Sequence, residues 1–213
     1  YSAMTQRLGL KPQEDEYILM GMAGWGKPNK KLQEEIRLTF FSDGLIELEQ
    51  NLHRGCLDWN PTCYPDDGSE QWKFDIACNV QIICEEQILE VFYRTEELVP
   101  ETKNICYGGG VALNCVANSI VARDLYPSLW ILPNPGDGGS SLGSAAYVLG
   151  EHVNWHNCFL GYDIVGDYPT EQLLTELLKG NIVGVANGRA EFGPRALGNR
   201  TLMADPRGDE IKD

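Results

Sequence analysis

The chain has 213 residues, with 17 basic against 31 acidic side chains and a formal net charge of −14. Its pI is near 4.6. That length suits one large domain, or one domain with part of a second, and so acidic a chain is repelled by phosphate backbones and anionic lipid, which argues against nucleic-acid and membrane-surface binding. Hydrophobic residues at 43% and charged residues at 23% exclude a disordered, collagenous or coiled-coil chain.

No apolar run approaches the roughly 18 residues of a membrane span, and nothing at the start resembles a signal peptide. The chain opens Tyr1-Ser2-Ala3-Met4 and closes Glu210-Ile211-Lys212-Asp213, directly after a motif-like stretch. We therefore expect an internal fragment of a longer protein. The cysteines, at 56, 63, 78, 84, 106, 115 and 158, are odd in number and contain no CxxC pair. They read as mostly buried, reduced thiols of a cytoplasmic protein. His152 and His156 have i,i+4 spacing but no adjacent acidic ligand. They read as surface or helix-end histidines, with a metal pair as the alternative.

In chain order, residues 5–10 form a short amphipathic helix. A second helix follows Glu14-Asp15-Glu16 and runs into a bend with glycines at 21, 24 and 26. Residues 30–40 have helical spacing, with Leu32, Ile36 and Phe40 on one face. Residues 42–70 are turn-rich and read as a surface insertion, with a short strand at Leu45-Ile46-Glu47-Leu48. Residues 72–98 carry the strongest helical period. Asn104-Ile105-Cys106-Tyr107 is a strand entering Gly108-Gly109-Gly110, and a helix follows from about Ala112 to Leu125. Trp130-Ile131-Leu132 is a strand ending at a Gly-rich turn, and a small-residue helix starts near Ser141. Thr170 caps a helix that Gly180 stops. Residues 182–186 read as a buried strand. Strand, Gly turn, helix, repeated, indicates an α/β domain with ligands near the strand ends.

Three segments carry candidate chemistry. Gly108-Gly109-Gly110-Val111-Ala112-Leu113-Asn114 leaves backbone N–H groups exposed between a strand and a helix, without a Cβ to block a ligand. It matches neither the G-x-G-x-x-G fingerprint nor a P-loop. Nucleotide binding and a plain tight turn both fit. In Pro135-Gly136-Asp137-Gly138-Gly139, Asp137 suits a divalent cation and the glycines supply N–H donors. The alternative is an aspartate that caps the next helix. The third segment, residues 188–200, places Arg189, Arg195 and Arg200 within twelve positions, with Glu191 to hold one guanidinium in place. Arginine suits phosphate or carboxylate recognition, and a solvated charge run carries fewer glycines.

In this order, the segments resemble the O-carbamoyltransferase family, which includes nodulation-factor, cephalosporin and tobramycin carbamoyltransferases. Matching stretches include Tyr1-Ser2-Ala3-Met4-Thr5, Asp15-Glu16-Tyr17, Asp75-Ile76-Ala77, Gly109-Gly110-Val111-Ala112-Leu113-Asn114, Asp137-Gly138-Gly139-Ser140-Ser141 and residues 188–207. The resemblance covers nearly the whole chain. Gly-Gly-Val-Ala-Leu-Asn alone is shared more widely, including with threonylcarbamoyl-adenosine tRNA enzymes.

The resemblance implies an α/β chain in two parts. Residues 1–165 would be the second half of an actin/Hsp70-like ATPase-fold domain, with 42–70 a loop-rich insertion. Residues 166–213 would begin a YrdC-like, threonylcarbamoyl-AMP-synthase-type domain. It implies transfer of a carbamoyl group from carbamoyl phosphate, via carbamoyl-adenylate, to a hydroxyl acceptor. It further implies that Gly109, Gly110, Asn114, Gly138 and Gly139 bind the nucleotide and that Asp137 is a catalytic metal ligand. Arg189, Glu191, Arg195 and Arg200 would lie at the carbamoyl-phosphate site. The cofactors would be ATP and a divalent metal, iron or magnesium. The partners would be small molecules, with no membrane or nucleic acid, and a homodimer is the candidate assembly. Two departures stand out. Ile18 replaces the usual lysine after Glu-Tyr, and the histidines that complete the family's metal site lie upstream of this stretch, so the fragment alone is expected to be inert. The rival readings are a threonylcarbamoyl-type tRNA-modification relative and a non-catalytic nucleotide-binding module of the same fold.

Overall fold

A computed structural model describes residues 1–42 and 46–207. The protein is mixed α/β. The described residues fall into two compact units, one within Tyr1–Cys106 and Asn114–Trp130, the other within Tyr107–Leu113 and Ile131–Asp213.

The first unit is helical. It contains α1 (Ser2–Arg7), α2 (Glu16–Met22), α3 (Lys30–Phe40), α4 (Glu70–Leu98) and α5 (Cys115–Asp124), with β1 (Asn104–Tyr107) pairing β2 (Ser128–Ile131) at its edge. Helix α1 starts three residues before the expected position. It stops early because Gly9 adopts a left-handed conformation, φ +83°. The Asn29 side chain caps α3 by accepting N–H bonds from Lys31 and Leu32. Ser69 caps α4 through the Trp72 N–H.

Helix α4 buries Trp72, Ile76, Val80 and Ile83 along one stripe, and further on it buries Ile88 and Phe92 on another face, Phe92 against Tyr126. Leu32, Ile36 and Phe40 of α3 and Leu19 of α2 share the same core. Gly26 lies so close to α4 that a Cβ there would overlap the Phe74 carbonyl oxygen. Within this core sits a polar hub. The buried Asn79 carboxamide accepts from the Asn29 N–H and Gln33 Nε2, and donates to the Lys27 and Asp75 carbonyls. The Asp75 carboxylate accepts from the Lys27 N–H, Gln71 Nε2 and the Tyr64 hydroxyl. Its polar groups are paired, so burial costs little.

The 42–70 stretch is bound to this unit rather than loose. Pro61 is fully buried, and Trp59 meets Phe40 edge-on at 5.4 Å between centroids. Glu35 accepts the Thr62 and Cys63 N–H bonds at 2.6 and 2.9 Å. The expected strand reduces to an isolated bridge between Phe41 and Leu48, and Leu45 lies outside the described residues.

The second unit holds α6 (Ser140–Leu149), α7 (Thr170–Leu177) and two antiparallel pairs. Strand β3 (Phe159–Ile164) pairs with β5 (Gly188–Glu191), and β4 (Val183–Ala186) pairs with β6 (Arg200–Met203) in register Val183 to Met203. The expected buried strand is β4, yet only Val185 in it is buried. Gly150 ends α6 at φ +68°. Thr170 begins α7 without capping it through its side chain. His152 and His156 lie in irregular, exposed chain, so they share no helix face. All seven cysteines are unpaired, and only Cys56, Cys78 and Cys84 are buried. Among the described residues no helix is long and apolar enough to cross a membrane.

Candidate functional site

The three candidate segments, distant in sequence, meet inside the second unit. At the end of β1, Gly109 takes φ +99° and donates its N–H to the Pro135 carbonyl at 2.8 Å. A Cβ on Gly108, Gly109 or Gly110 would meet no atom within 4 Å, so these glycines border open space. Residues 110–113 then form a single 3-10 turn. A Cβ on Gly136 would stand 3.9 Å from the Gly110 Cα, so the two glycine turns abut.

The second turn is tightly built. A Cβ on Gly139 would overlap the Asn134 carbonyl, and one on Gly138 would come within 2.7 Å of the Asn134 Nδ2. Asp137 opens a 3-10 turn and is exposed. Its carboxylate has no hydrogen-bond or ionic partner among the described residues. It does not cap α6, whose N-terminus carries no side-chain cap. Among those residues no cluster of three or more His, Cys, Asp and Glu could hold a metal ion. Among the described residues Asp137 is thus a lone carboxylate donor.

The third segment is a strand, loop and strand, where sequence reading expected one anion-binding loop. Gly193, at φ +128°, sits where a Cβ would overlap the Pro133 carbonyl oxygen. The Arg195 guanidinium donates to the Leu113 carbonyl, at the end of the first turn. Glu191 holds no guanidinium. Its Oε1 instead accepts backbone N–H bonds from Leu197, Asn199 and Arg200 at 3.1, 2.8 and 3.1 Å. Burial acts to raise the Glu191 carboxyl, but these N–H dipoles outweigh it and bring the pKa down to about 2.

The three arginines divide by role. Arg200 donates to the carbonyls of Asn187, Gly188, Asn199 and Tyr162. Arg195 is engaged with Leu113. Arg189 is exposed, and its guanidinium has no partner among the described residues.

Asn114 belongs to the first unit. Its buried carboxamide caps α5 through the Ala117 N–H and exchanges two hydrogen bonds with Gln81. The expected helix start near Ala112 shifts to Cys115 because of this cap. The side chain thus serves the fold as it stands.

Sequence reading missed Pro133, Asn134 and Asn199 as parts of the site. The Pro-Asn-Pro-Gly run signals a turn, but not that its carbonyls receive glycines from elsewhere. It also missed an open cleft of about 710 Å³ in the first unit, lined by Tyr1, Gln6, Phe41, Leu52, His53 and Arg54 among others.

Comparison with known proteins decides the family. The family model for the carbamoyltransferase N-terminus matches residues 1–146, and that for the carbamoyltransferase C-terminus matches residues 174–213. The chain belongs to the carbamoyltransferase family. Nodulation protein NolO of Bradyrhizobium diazoefficiens is 27% identical over 93% of this chain and 41% of its own length. The 3'-hydroxymethylcephem-O-carbamoyltransferase of Amycolatopsis lactamdurans is 33% identical over 60% of this chain and 28% of its own. An uncharacterised Synechocystis protein is 32% identical over 97% of this chain and 41% of its own. This carbamoyltransferase chain spans less than half the length of these curated relatives.

Proposed function

We propose that the intact protein moves a carbamoyl group from carbamoyl phosphate, by way of carbamoyl-adenylate, to the hydroxyl of a sugar-like or natural-product acceptor. The observation that carries this reading is the meeting of three family segments in one unit. Gly109 bonds to Pro135, Gly193 packs on Pro133, and Arg195 bonds to Leu113. The relative that acts on a hydroxymethylcephem supports a hydroxyl acceptor.

In this reading the open glycine turns take the phosphates of ATP. Gly109, Gly110, Gly138 and Gly139 shape the nucleotide site, with the Gly109 and Gly139 N–H groups holding the turns through the Pro135 and Gly136 carbonyls and the Gly110 and Gly138 N–H groups left to neutralise phosphate charge. ATP supplies an adenylate leaving group that makes the carbamoyl carbon electrophilic. Arg189, with its free guanidinium, faces carbamoyl phosphate, and Asn114 fixes the exit of the first turn into α5. Asp137 would offer one oxygen to a divalent metal. Residues 1–165 would form the second half of an actin/Hsp70-like ATPase domain, and 166–213 the start of a YrdC-like one. The unpaired cysteines suit a cytoplasmic protein.

The test uses the full-length protein with ATP and carbamoyl phosphate. Pyrophosphate release is expected only when both are present. Release that is indifferent to carbamoyl phosphate, or no release at all, overturns the proposal.

A further inference from the structure

We infer that residues 192–199 act as a clamp on the two glycine turns, with Glu191 as the positioning residue that sets the clamp and Arg195 as its tip. The inference deepens the proposed function and rests on reading those turns as the nucleotide site. It assigns Arg195 to the turn rather than to carbamoyl phosphate.

Both ends of the segment are bolted down, the β5 end by the Phe192 N–H on the Cys158 carbonyl at 2.7 Å. At the β6 end, three successive-turn N–H groups converge on one Glu191 oxygen. Convergent backbone N–H groups of this kind make an anion-binding concavity. Here the anion is the chain's own carboxylate, so this concavity is closed to a substrate phosphate. Arg200 ties the same end to β3 and β5 through the Tyr162, Asn187, Gly188 and Asn199 carbonyls. The Asn199 side chain donates to the Arg189 carbonyl, and the Asn187 N–H to the Asn199 carbonyl.

Between these anchors, the segment touches each glycine turn at a backbone carbonyl. Gly193 meets Pro133 at the entry to the second turn, at a φ of +128° that L side chains rarely adopt. Arg195 meets Leu113 at the exit of the first. A charged donor on a carbonyl is a strong hydrogen bond. It holds the 3-10 turn of residues 110–113 in one arrangement before any ligand arrives. Preorganised N–H donors need no rearrangement when charge reaches them. Arg189 is the arginine left with a free guanidinium to meet carbamoyl phosphate.

The test compares Arg195→Ala, Arg195→Lys, Glu191→Ala, Glu191→Gln and Arg189→Ala in the full-length protein. For Arg195→Ala the KM for ATP is expected to rise about tenfold, the scale of a lost charge-assisted bond, while the KM for carbamoyl phosphate stays put. Arg195→Lys restores most of the loss, because one N–H is enough for one carbonyl, whereas a bidentate anion site does not accept lysine. Glu191→Ala follows Arg195→Ala, and Glu191→Gln, which keeps an acceptor oxygen, recovers. Arg189→Ala raises the KM for carbamoyl phosphate instead.

Amide hydrogen exchange of the ligand-free protein gives a reading that needs no turnover. Residues 108–113 and 133–139 should exchange faster in Arg195→Ala and Glu191→Ala, and at the wild-type rate in Arg189→Ala. A rise in the carbamoyl-phosphate KM with Arg195→Ala, or unchanged exchange at residues 108–113, overturns the clamp. If the wild-type protein releases no pyrophosphate, the proposed function falls, and the exchange result alone decides the clamp.

Discussion

The two units are held together by different means. In the first, side chains do the holding. Leu19, Leu32, Ile76 and Ala77 are wholly buried, and Trp72 and Phe40 nearly so. In the second, α6 contributes no buried residue, and Tyr147, Tyr162 and Val165 are 89%, 84% and 91% exposed. There the long-range order comes from backbone groups: glycines against carbonyls, arginines on carbonyls, and a carboxylate on amides. The candidate site lies in the second unit. A surface that must offer bare N–H groups to an anion is made of residues that cannot also build a core.

The largest expected effect breaks the first unit. Trp72 packs in the core, carries the Arg7 guanidinium 4.9 Å from its ring centroid, and donates its indole N–H to the Tyr64 carbonyl. Trp72→Ala should cost roughly 3–5 kcal/mol, the range for a large aromatic truncated in a core. The matching change in the second unit, Tyr162→Ala, should cost less than about 0.5 kcal/mol. Urea unfolding of both variants checks the contrast. Equal losses would mean that the units share one mode of stabilisation.

That asymmetry also explains what could be read in advance. Helices α3 and α4 and strand β1 were legible because their apolar residues follow a structural period, and burial creates that period. Strands β3, β5 and β6 were not. They are short, hold no fully buried residue, and are mixed with glycine and arginine, so no alternation of residue types marks them. The glycine segments were legible as sites by their residue types. Their meeting was not, because it rests on contacts such as Arg195 to Leu113, 82 positions apart. The same holds for the arginines. Composition groups Arg189, Arg195 and Arg200 together, and only their carbonyl partners separate them. Likewise, nothing local in residues 42–70 announces that Pro61 is buried or that Glu35 gathers the loop.

Acid sharpens the comparison, because each unit has a carboxylate that gathers two or more loop amides. Burial acts to raise the Glu35 carboxyl, but its bonds from the Cys63 thiol and the Thr62 and Cys63 N–H groups outweigh it. They carry the pKa from 4.5 down to about 2. Glu191 moves from 4.5 to about 2 on its own N–H donors. Both pKa values are lower in the folded state. The stability they lend is therefore full above about 4.5 and is lost as pH falls from there through about 2. The consequences should differ. Residues 61–64 keep the buried Pro61 and the Trp72-to-Tyr64 bond when Glu35 is protonated. Residues 192–199 lose the central acceptor of their anchor. Amide resonances of Leu197, Asn199 and Arg200 should therefore broaden as Glu191 titrates, whereas those of Thr62 and Cys63 should shift without broadening. The reverse pattern would place the firmer loop in the second unit.

The smallest effect is the most exacting for the comparison. Helix α6 presents Tyr147 and Val148 to solvent, the latter 85% exposed. If backbone contacts hold the second unit, replacing both with serine removes almost no buried area and should move stability by less than about 0.5 kcal/mol. The helix itself keeps its Gly150 stop, with the Gly150 N–H on the Ala146 carbonyl at 3.1 Å. The hydrogen-bonded turn of residues 137–139 also lies N-terminal to the change. Serine has about the same helix propensity as tyrosine and valine, so propensity adds little. The double variant's urea midpoint is the measurement. A loss above about 1 kcal/mol, the scale of one buried methylene or more, would show that these side chains are covered in solution and that the second unit rests on apolar burial after all.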